Sequence, residues 1–311
     1  MQNDHGGGIT DAIASYGGAS GDWLDLSTGI NPNPYPLPTI PALSWCRLPD
    51  QAEFEALEQA AREFWRIPDS WSVLAVPGAS SAIAQIPGLV PAGRVFVPQP
   101  TYNEHLTAFE RFGWQSCQTD PDATVIVNPN NPDGRTHVPG TIAPQRLTVI
   151  DESFADVDPE ISWVGQVSAT NTIVLKSFGK FWGLAGLRLG FALGDPELIE
   201  KLCNALGPWQ VSGPALQIGA AALNDIGWAE NTRKELSTSA ERLDTLVKVA
   251  GFKVVGGTSL FRLYEVQSAE AVFKYFAQKR ILTRIFPYSN TWVRLGLPGS
   301  EKEWARLEDA L

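Results

Sequence analysis

Short apolar runs alternate with helical stretches along the middle of the chain. Candidate strands, all rich in β-branched or aliphatic residues, are Val73–Val76, Arg94–Val97, Thr124–Val127, Leu147–Ile150 and Thr172–Leu175. Candidate helices are Gln51–Trp65, with its apolar residues on one face, Ser80–Ile86 and Asn103–Phe112. Because strands covered on both faces read as continuous apolar runs, the pattern predicts an α/β fold around a mostly parallel sheet.

The pattern changes towards the carboxyl end. Gly186–Gly194 predicts one further strand, and Pro196–Leu206 and Ala229–Ala250 predict helices. A smaller α+β segment follows, with candidate strands Phe252–Val255, Leu260–Glu265 and Trp292–Leu295 and candidate helices Ala269–Lys279 and Glu301–Leu311. The proline-dense run over residues 30–38 predicts an extended arm, since proline disrupts helix interiors and central strands. We therefore expect an amino-terminal arm over 1–45 that joins the small domain, a large domain over 46–225 and a small domain over 226–311.

Composition narrows the class of protein. Hydrophobic residues make up 44% of the chain and charged residues 19%, which is a globular balance. With 24 Lys and Arg against 34 Asp and Glu, the formal charge is −10, and no basic run offers a surface for nucleic acid or an anionic membrane. The cysteines, Cys46, Cys117 and Cys203, are too far apart in sequence to indicate a disulfide framework or a metal cluster. The absence of a signal-peptide pattern predicts a cytoplasmic location.

The segment from Thr172 to Gly190 holds the strongest candidate for chemistry. Its strand leads into a turn rich in glycine and aromatic residues, in which Phe181 and Trp182 would shield the amine of Lys180 from water. Desolvation lowers the pKa of an amine and frees its lone pair for imine formation. Since most lysines are exposed and unreactive, the assignment depends on other segments.

Four such segments place polar or aromatic groups directly after predicted strands. Their candidate residues are Gly78, Ala79 and Ser80 after the first strand, Tyr102 after the second, Asn131 after the third and Asp151 at the end of the fourth. A loop that opens a helix can hold a phosphate through its N–H groups, or can simply cap the helix. The carboxyl ends of parallel strands meet at one edge of a sheet, so these side chains are expected to converge.

The combination resembles the fold-type I pyridoxal-5′-phosphate enzymes, the aspartate aminotransferase superfamily. The order of phosphate loop, Tyr, N-P-x-G, D-E-x-[YF], S-x-x-K and downstream Arg is reproduced, with spacings of 151 − 131 = 20, 180 − 151 = 29 and 188 − 180 = 8. The resemblance covers nearly the whole chain. It implies a large domain with a mostly parallel seven-stranded sheet, a smaller α+β domain, pyridoxal 5′-phosphate as cofactor and a homodimer.

The resemblance also implies a role for each residue. Lys180 would be catalytic and bind the cofactor covalently, Asp151 would pair with its ring nitrogen, Asn131 would bind its ring oxygen and Tyr102 would stack on the ring. The phosphate would be bound by Gly78, Ala79, Ser80, Ser177 and Arg188. Substrate would be bound by His5, Gly6, Asn31, Arg284 and Arg294, and which arginine takes the carboxylate stays open. No metal is expected.

Two features indicate a branch of the superfamily. The segments His5–Gly8 and Leu24–Pro32 resemble the start of the L-threonine-O-3-phosphate decarboxylases of cobalamin biosynthesis, which are close to the histidinol-phosphate aminotransferases. Phe154 stands where many aminotransferases have a tyrosine, and the decarboxylase branch resembles the sequence better there. A separate departure is Leu48, where relatives often have a tyrosine that reaches the partner subunit's cofactor phosphate, so one phosphate contact that the resemblance implies is missing. The resemblance implies a lyase that converts L-threonine O-3-phosphate to (R)-1-amino-2-propanol O-2-phosphate.

Three alternative functions compete with this prediction. An aminotransferase acting on a phosphorylated substrate such as histidinol phosphate shares every cofactor residue, and only the amino-terminal segment and Phe154 argue against it. The S-x-x-K pattern of Ser177 and Lys180 also occurs in penicillin-recognising serine acylases, but the accompanying S-D-N and K-T-G strings do not occur in the sequence. A binding module without catalysis would not need the complete set of Lys, Asp, Asn and Arg.

Overall fold

The computed structural model describes residues 5–143 and 145–311, so the first four residues of the predicted arm lie outside the described part. The strands are β1 (Leu24–Asp25), β2 (Ser72–Val76), β3 (Arg94–Phe96), β4 (Gln115–Ser116), β5 (Ala123–Val127), β6 (Leu147–Asp151), β7 (Thr172–Ser177), β8 (Gly190–Gly194), β9 (Lys253–Thr258), β10 (Phe261–Glu265), β11 (Ile281–Leu282), β12 (Arg284–Phe286) and β13 (Ser289–Gly296). The α-helices are α1 (Ile9–Tyr16), α2 (Leu43–Cys46), α3 (Gln51–Trp65), α4 (Ala79–Gln85), α5 (Glu104–Arg111), α6 (Pro196–Leu206), α7 (Gly213–Asn224), α8 (Ile226–Val249), α9 (Ala269–Gln278) and α10 (Glu301–Glu308).

The chain divides into two compact units. The small unit contains the residues up to Asn33, Pro132–Gly134 and Asn231–Leu311, and the large unit contains Pro34–Asn131 and Arg135–Glu230. The domain limits predicted from the sequence are 1–45, 46–225 and 226–311. They remain predictions.

A seven-stranded sheet forms the centre of the large unit, in the order β2-β8-β7-β6-β5-β3-β4. Neighbours from β7 to β4 are parallel, whereas β8 is antiparallel to both β7 and β2. The prediction of a mostly parallel seven-stranded sheet in an α/β fold is confirmed.

The sheet is covered because its central strands are apolar on both faces. Every residue of β5, β6 and β8 is buried. One core cluster joins strand residues such as Val125 and Ile173 to helix residues such as Phe109 of α5 and Leu202 of α6. This rigid core fixes where each strand ends, and therefore where the polar residues after it lie.

The predicted strand Gly186–Gly194 is wrong in its first half. Residues Ala185–Leu187 form a turn of 3₁₀-helix, and Arg188 adopts a left-handed conformation with φ of 55°, so the strand begins only at Gly190. A Cβ at Gly190 would lie 2.7 Å from the backbone nitrogen of Ala79. The close approach of these two segments requires glycine there.

The small unit contains a four-stranded antiparallel sheet in the order β12-β13-β10-β9 and a short parallel pair of β1 and β11. In this sheet Arg284 of β12 is paired directly with Arg294 of β13. The turn that contains Asp133 also belongs to this unit, where the Gly257 N–H donates to the Asp133 carbonyl at 2.8 Å. Among the described residues, no helix has both the length and the apolar composition that a membrane span needs.

Candidate active site

A pocket of about 140 Å³ lies at the edge of the large unit where the parallel strands end. Of the residues predicted to bind the cofactor, eight line it: Ala79, Ser80, Tyr102, Asn131, Asp151, Ser177, Lys180 and Arg188. Gly78, the remaining one, directly precedes the helix that supplies Ala79 and Ser80. The structure therefore brings together side chains that the sequence separates by up to 109 positions, counted as 188 − 79.

Asp151 is the buried acidic group of the pocket. It ends β6 between Val127 of β5 and Leu175 of β7, and it is only 2% exposed. Its Oδ2 lies 2.8 Å from Nε2 of His105, which is equally buried in the first turn of α5, and its Oδ1 accepts from the Ser153 N–H at 2.9 Å. Burial raises the pKa of Asp151, but the hydrogen bond and charge of His105, with the contribution of Ser153, outweigh burial and lower it below its ordinary value. Asp151 is thus held as a carboxylate.

His105 is a site residue that the sequence analysis missed. It lies three residues after Tyr102, and the two rings meet edge to face with centroids 6.0 Å apart. The histidine comes 46 residues before its aspartate. The one local signal was its position in the first turn of a helix that follows a strand end.

Lys180 lies in a tight turn after β7. The Gly183 N–H donates to the Lys180 carbonyl at 3.1 Å, and the Leu184 N–H donates to the Phe178 carbonyl at 3.2 Å. The amine Nζ lies 5.4 Å from the centroid of the Phe154 ring. Phe154 therefore contributes an apolar face beside the amine.

The two aromatic residues that follow Lys180 in the sequence belong to a buried aromatic cluster. Phe181 and Trp182 are fully buried, and Trp182 stacks on Phe178 with centroids 5.1 Å apart and on Trp228 with centroids 5.3 Å apart. These stacking contacts hold the turn of Lys180 in place. Phe154, a residue of another loop, thus adds to the apolar surroundings of Lys180, and the sequence analysis did not place it there.

Backbone, hydroxyl and guanidinium groups gather at the start of α4. Gly78 has a φ of +79°, and a Cβ on it would lie 2.5 Å from a terminal nitrogen of Arg188. The hydroxyls of Ser80 and Ser177 line the same pocket. Together they form a cradle of donors with a positive charge, which is the chemistry that binds a phosphate.

Hydrogen bonds between two loops hold Tyr102 and Asn131 in the pocket. The hydroxyl of Thr101 donates to Oδ1 of Asn130 at 2.5 Å, and Nδ2 of Asn130 donates to the Pro100 carbonyl at 3.0 Å. Asn130 is 1% exposed, so these bonds are shielded from water. Thr101 and Asn130, which directly precede Tyr102 and Asn131, are therefore joined by a hydrogen bond.

The predicted substrate residues belong to the small unit. The Arg294 guanidinium donates to the Ser27 carbonyl at 2.8 Å, and Ser27 accepts at its hydroxyl from the Gly7 N–H at 2.7 Å. A Cβ at Gly6 would overlap the same Ser27 carbonyl. The glycine-rich segment thus packs on Ser27, the residue that also accepts the hydrogen bond from Arg294. His5 is exposed. Asn31 is buried, and its Oδ1 accepts from the Asn33 N–H at 2.9 Å.

Two arginines face each other in this unit. Arg294 is 6% exposed, and Arg284 is its direct partner across the strands. Burial, followed by the charge of Arg284, lowers the pKa of Arg294 to about 9. A bound anion would offset both effects, so the pair favours a negatively charged ligand.

Comparison with known proteins decides the family. The family model for class I and II aminotransferases matches residues 44–311. The chain belongs to the class I and II aminotransferase family. Within it, the chain is 41% identical to a threonine-phosphate decarboxylase from Sinorhizobium sp., over 99% of this chain and 97% of that protein. It is 37% identical to a threonine-phosphate decarboxylase from Pseudomonas aeruginosa, with the same coverage.

Solved structures share the aminotransferase fold. Histidinol-phosphate aminotransferase from Sinorhizobium meliloti, in complex with pyridoxal-5′-phosphate, superposes with a TM-score of 0.80 at 18% identity over 98% of this chain and 93% of that one. L-threonine-O-3-phosphate decarboxylase from Porphyromonas gingivalis gives a TM-score of 0.69 at 17% identity over 92% of this chain and 98% of that one. At these identities the likeness shows the fold alone.

Proposed function

We propose that this protein is a pyridoxal 5′-phosphate-dependent lyase that decarboxylates L-threonine O-3-phosphate to (R)-1-amino-2-propanol O-2-phosphate, a step of cobalamin side-chain synthesis. The observation that carries the proposal is the similarity, over 99% of the chain, to two proteins named threonine-phosphate decarboxylase. The pocket of the large unit supplies groups that suit this chemistry. The cytoplasmic location expected from the sequence stays a prediction.

The residues of the pocket fit the cofactor. Gly78 leaves room for the Arg188 guanidinium where any other residue would place a Cβ, so a phosphate can approach both the backbone and the charge. At the strand ends, Asp151 is a buried carboxylate of lowered pKa that can accept a hydrogen bond from a protonated ring nitrogen. Asn131 and Tyr102 line the space between these two groups and Lys180.

When bound, pyridoxal 5′-phosphate supplies an electron sink that accepts the electron pair of the Cα–carboxylate bond. Lys180 would hold the cofactor through its amine, and this amine, when free, could carry a proton to Cα. Phe154 beside that amine is apolar and limits the access of water. His105 keeps Asp151 ionised and oriented.

The arginine pair suits a substrate that carries two anionic groups. Arg284 and Arg294 are opposite each other on neighbouring strands, and a carboxylate and a phosphate would offset their mutual repulsion. Gly6, next to the Gly7 N–H that donates to Ser27, places a glycine-rich backbone near the Arg294 contact. His5 and Asn31 complete the proposed substrate set.

The test uses purified protein loaded with pyridoxal 5′-phosphate and given L-threonine O-3-phosphate without any oxo acid. We expect one carbon dioxide released for each substrate consumed. If no carbon dioxide appears and the amino group is instead transferred to 2-oxoglutarate from histidinol phosphate, the protein is an aminotransferase and the proposed reaction is refuted.

We also propose that the protein acts as a homodimer. Leu37, Leu43, Trp45 and Leu48 are each more than 60% exposed within one short segment of the large unit. Such a concentration of exposed apolar side chains is typical of an interface between subunits. Light scattering of the purified protein should give twice the chain mass of 33.8 kDa, and Trp45→Glu should shift it towards a single chain.

A further inference from the structure

A cluster of charged side chains is buried beside the pocket without lining it. Nζ of Lys176 lies 2.6 Å from Oε2 of Glu152 and 3.6 Å from Oδ1 of Asp156. Lys176 and Glu152 are each 1% exposed and Asp156 is 4% exposed. We call these three residues the buried ion cluster.

Neutral donors complete the cluster. Glu152 accepts from the Ser162 hydroxyl at 2.6 Å and from the Trp163 N–H at 2.5 Å, and Asp156 accepts from the indole N–H of Trp65 at 2.8 Å. Burial lowers the pKa of Lys176, but Glu152 and then Asp156 outweigh burial and raise it. Lys176 is therefore held as a cation beside two carboxyl groups whose positions are fixed by hydrogen bonds, at a desolvation cost that hydrophobic residues of the same size would avoid.

The residues of the buried ion cluster are neighbours in sequence of residues that line the pocket. Glu152 directly follows Asp151, and Lys176 directly precedes Ser177. Asp151 and Ser177 line the pocket, and because successive side chains of a strand point to opposite sides, Lys176 of β7 points away from it, where it meets Glu152. The contact between Glu152 and Lys176 thus ties the end of β6 to the end of β7, directly behind two pocket residues.

We infer that the buried ion cluster positions the cofactor-binding groups, Asp151 on one strand end and the turn of Lys180 on the next. The inference rests on the proposed cofactor, but not on the proposed substrate. Glu152, Lys176 and Asp156 are positioning residues, because they act through Asp151 and the Ser177–Lys180 turn. The competing explanation is that the cluster contributes only to stability.

The experiment compares wild-type protein with Lys176→Met/Glu152→Gln, which removes both charges and keeps the side-chain volumes. Four quantities are measured: the dissociation constant of pyridoxal 5′-phosphate, the visible circular dichroism of the bound cofactor, and kcat and KM for L-threonine O-3-phosphate. We expect the dissociation constant to rise about tenfold, as for outer partners of metal ligands. The visible circular dichroism should weaken, and kcat should fall about 100-fold at a KM within about twofold, as for a misplaced reacting group.

The matched control is Asp244→Asn, which breaks another ion pair, with Arg262 at 2.8 Å, in the small unit. It should lower the thermal midpoint and leave the cofactor dissociation constant and circular dichroism unchanged. Lys176→Arg keeps the positive charge and provides a second test if the double variant does not fold. The visible circular dichroism of its bound cofactor should be weaker than that of wild type but still detectable.

Two results would overturn the inference. One is a double variant, or Lys176→Arg, that loses thermal stability but keeps the cofactor affinity and circular dichroism of wild type. The other is wild-type protein that binds no pyridoxal 5′-phosphate, which would also refute the proposed function. Wild-type protein that binds the cofactor but does not decarboxylate refutes only the proposed substrate, and the inference is then decided by the affinity and the circular dichroism.

Discussion

Replacing His105 with phenylalanine tests the electrostatic arrangement of the pocket. The substitution removes the only hydrogen bond recorded between Asp151 and α5 in the described part of the chain, while the buried carboxylate remains. A hydrogen bond to a charged group contributes about 1.5–3 kcal/mol. His105→Phe should therefore lower the free energy of unfolding at pH 7 by about that amount, or about 10- to 150-fold in the folding equilibrium.

The direction in which the free energy of unfolding changes with pH follows from the pKa of Asp151. In wild-type protein the pKa of Asp151 is lowered, so its ionisation contributes stability that is present above the unfolded pKa of about 3.9 and is lost as the pH falls through the folded pKa. In His105→Phe, burial is no longer opposed by the histidine, and the pKa of Asp151 rises. The free energy of unfolding of the variant should then fall as the pH rises above about 4. The difference in this free energy between the variant and wild type should increase towards neutral pH.

The assay is urea unfolding of the protein without cofactor, followed by tryptophan fluorescence at a series of pH values. His105→Gln is the control, because its amide can still donate to Asp151, and it should retain at least half of the stability that His105→Phe loses. An unfolding free energy for His105→Phe that equals the wild-type value at every pH would refute the assignment of Asp151 as a carboxylate held by His105.

Three further predictions concern the cofactor and the substrate. Lys180→Ala should bind pyridoxal 5′-phosphate without covalent retention after borohydride reduction, measured by mass spectrometry, and activity should fall to background; retained label would contradict the anchor. Gly78→Ala places a Cβ 2.5 Å from a terminal nitrogen of Arg188 and should raise the cofactor dissociation constant at least about tenfold, with unchanged far-ultraviolet circular dichroism. Arg294→Lys loses the planar fork, so KM should rise about 10- to 100-fold with a small change in kcat; an unchanged KM would exclude Arg294 from substrate binding.

Much of the site could be predicted because its motifs are local and their order is specific. Asp151 and Ser177 end apolar strands, Asn131 and Lys180 follow such strands within a few residues, and the carboxyl ends of parallel strands meet at one edge. The pocket does contain these residues together. Their assigned roles stay predictions, since convergence shows proximity and the chemistry is tested only by the experiments above.

Some elements had no usable pattern. Helix α7, Gly213–Asn224, was not predicted because its residues are small or apolar on nearly every side, and with eight of its twelve residues buried it has no continuous polar face to give a period. The early start predicted for β8 failed because an apolar run continues through Arg188, whereas the backbone there turns to direct the guanidinium towards Gly78.

The sequence by itself determined which apolar runs form the central strands, and it located the glycine-rich loop and the lysine turn, because each depends on neighbours within a few residues. Only the tertiary structure decided that His105 meets Asp151, that Lys176 meets Glu152 and that Arg284 faces Arg294. These pairs join separate strands, helices or loops, and their contacts depend on strand register and on helix packing against the sheet. Such distances between elements follow from the packed core, which no local pattern of residues encodes.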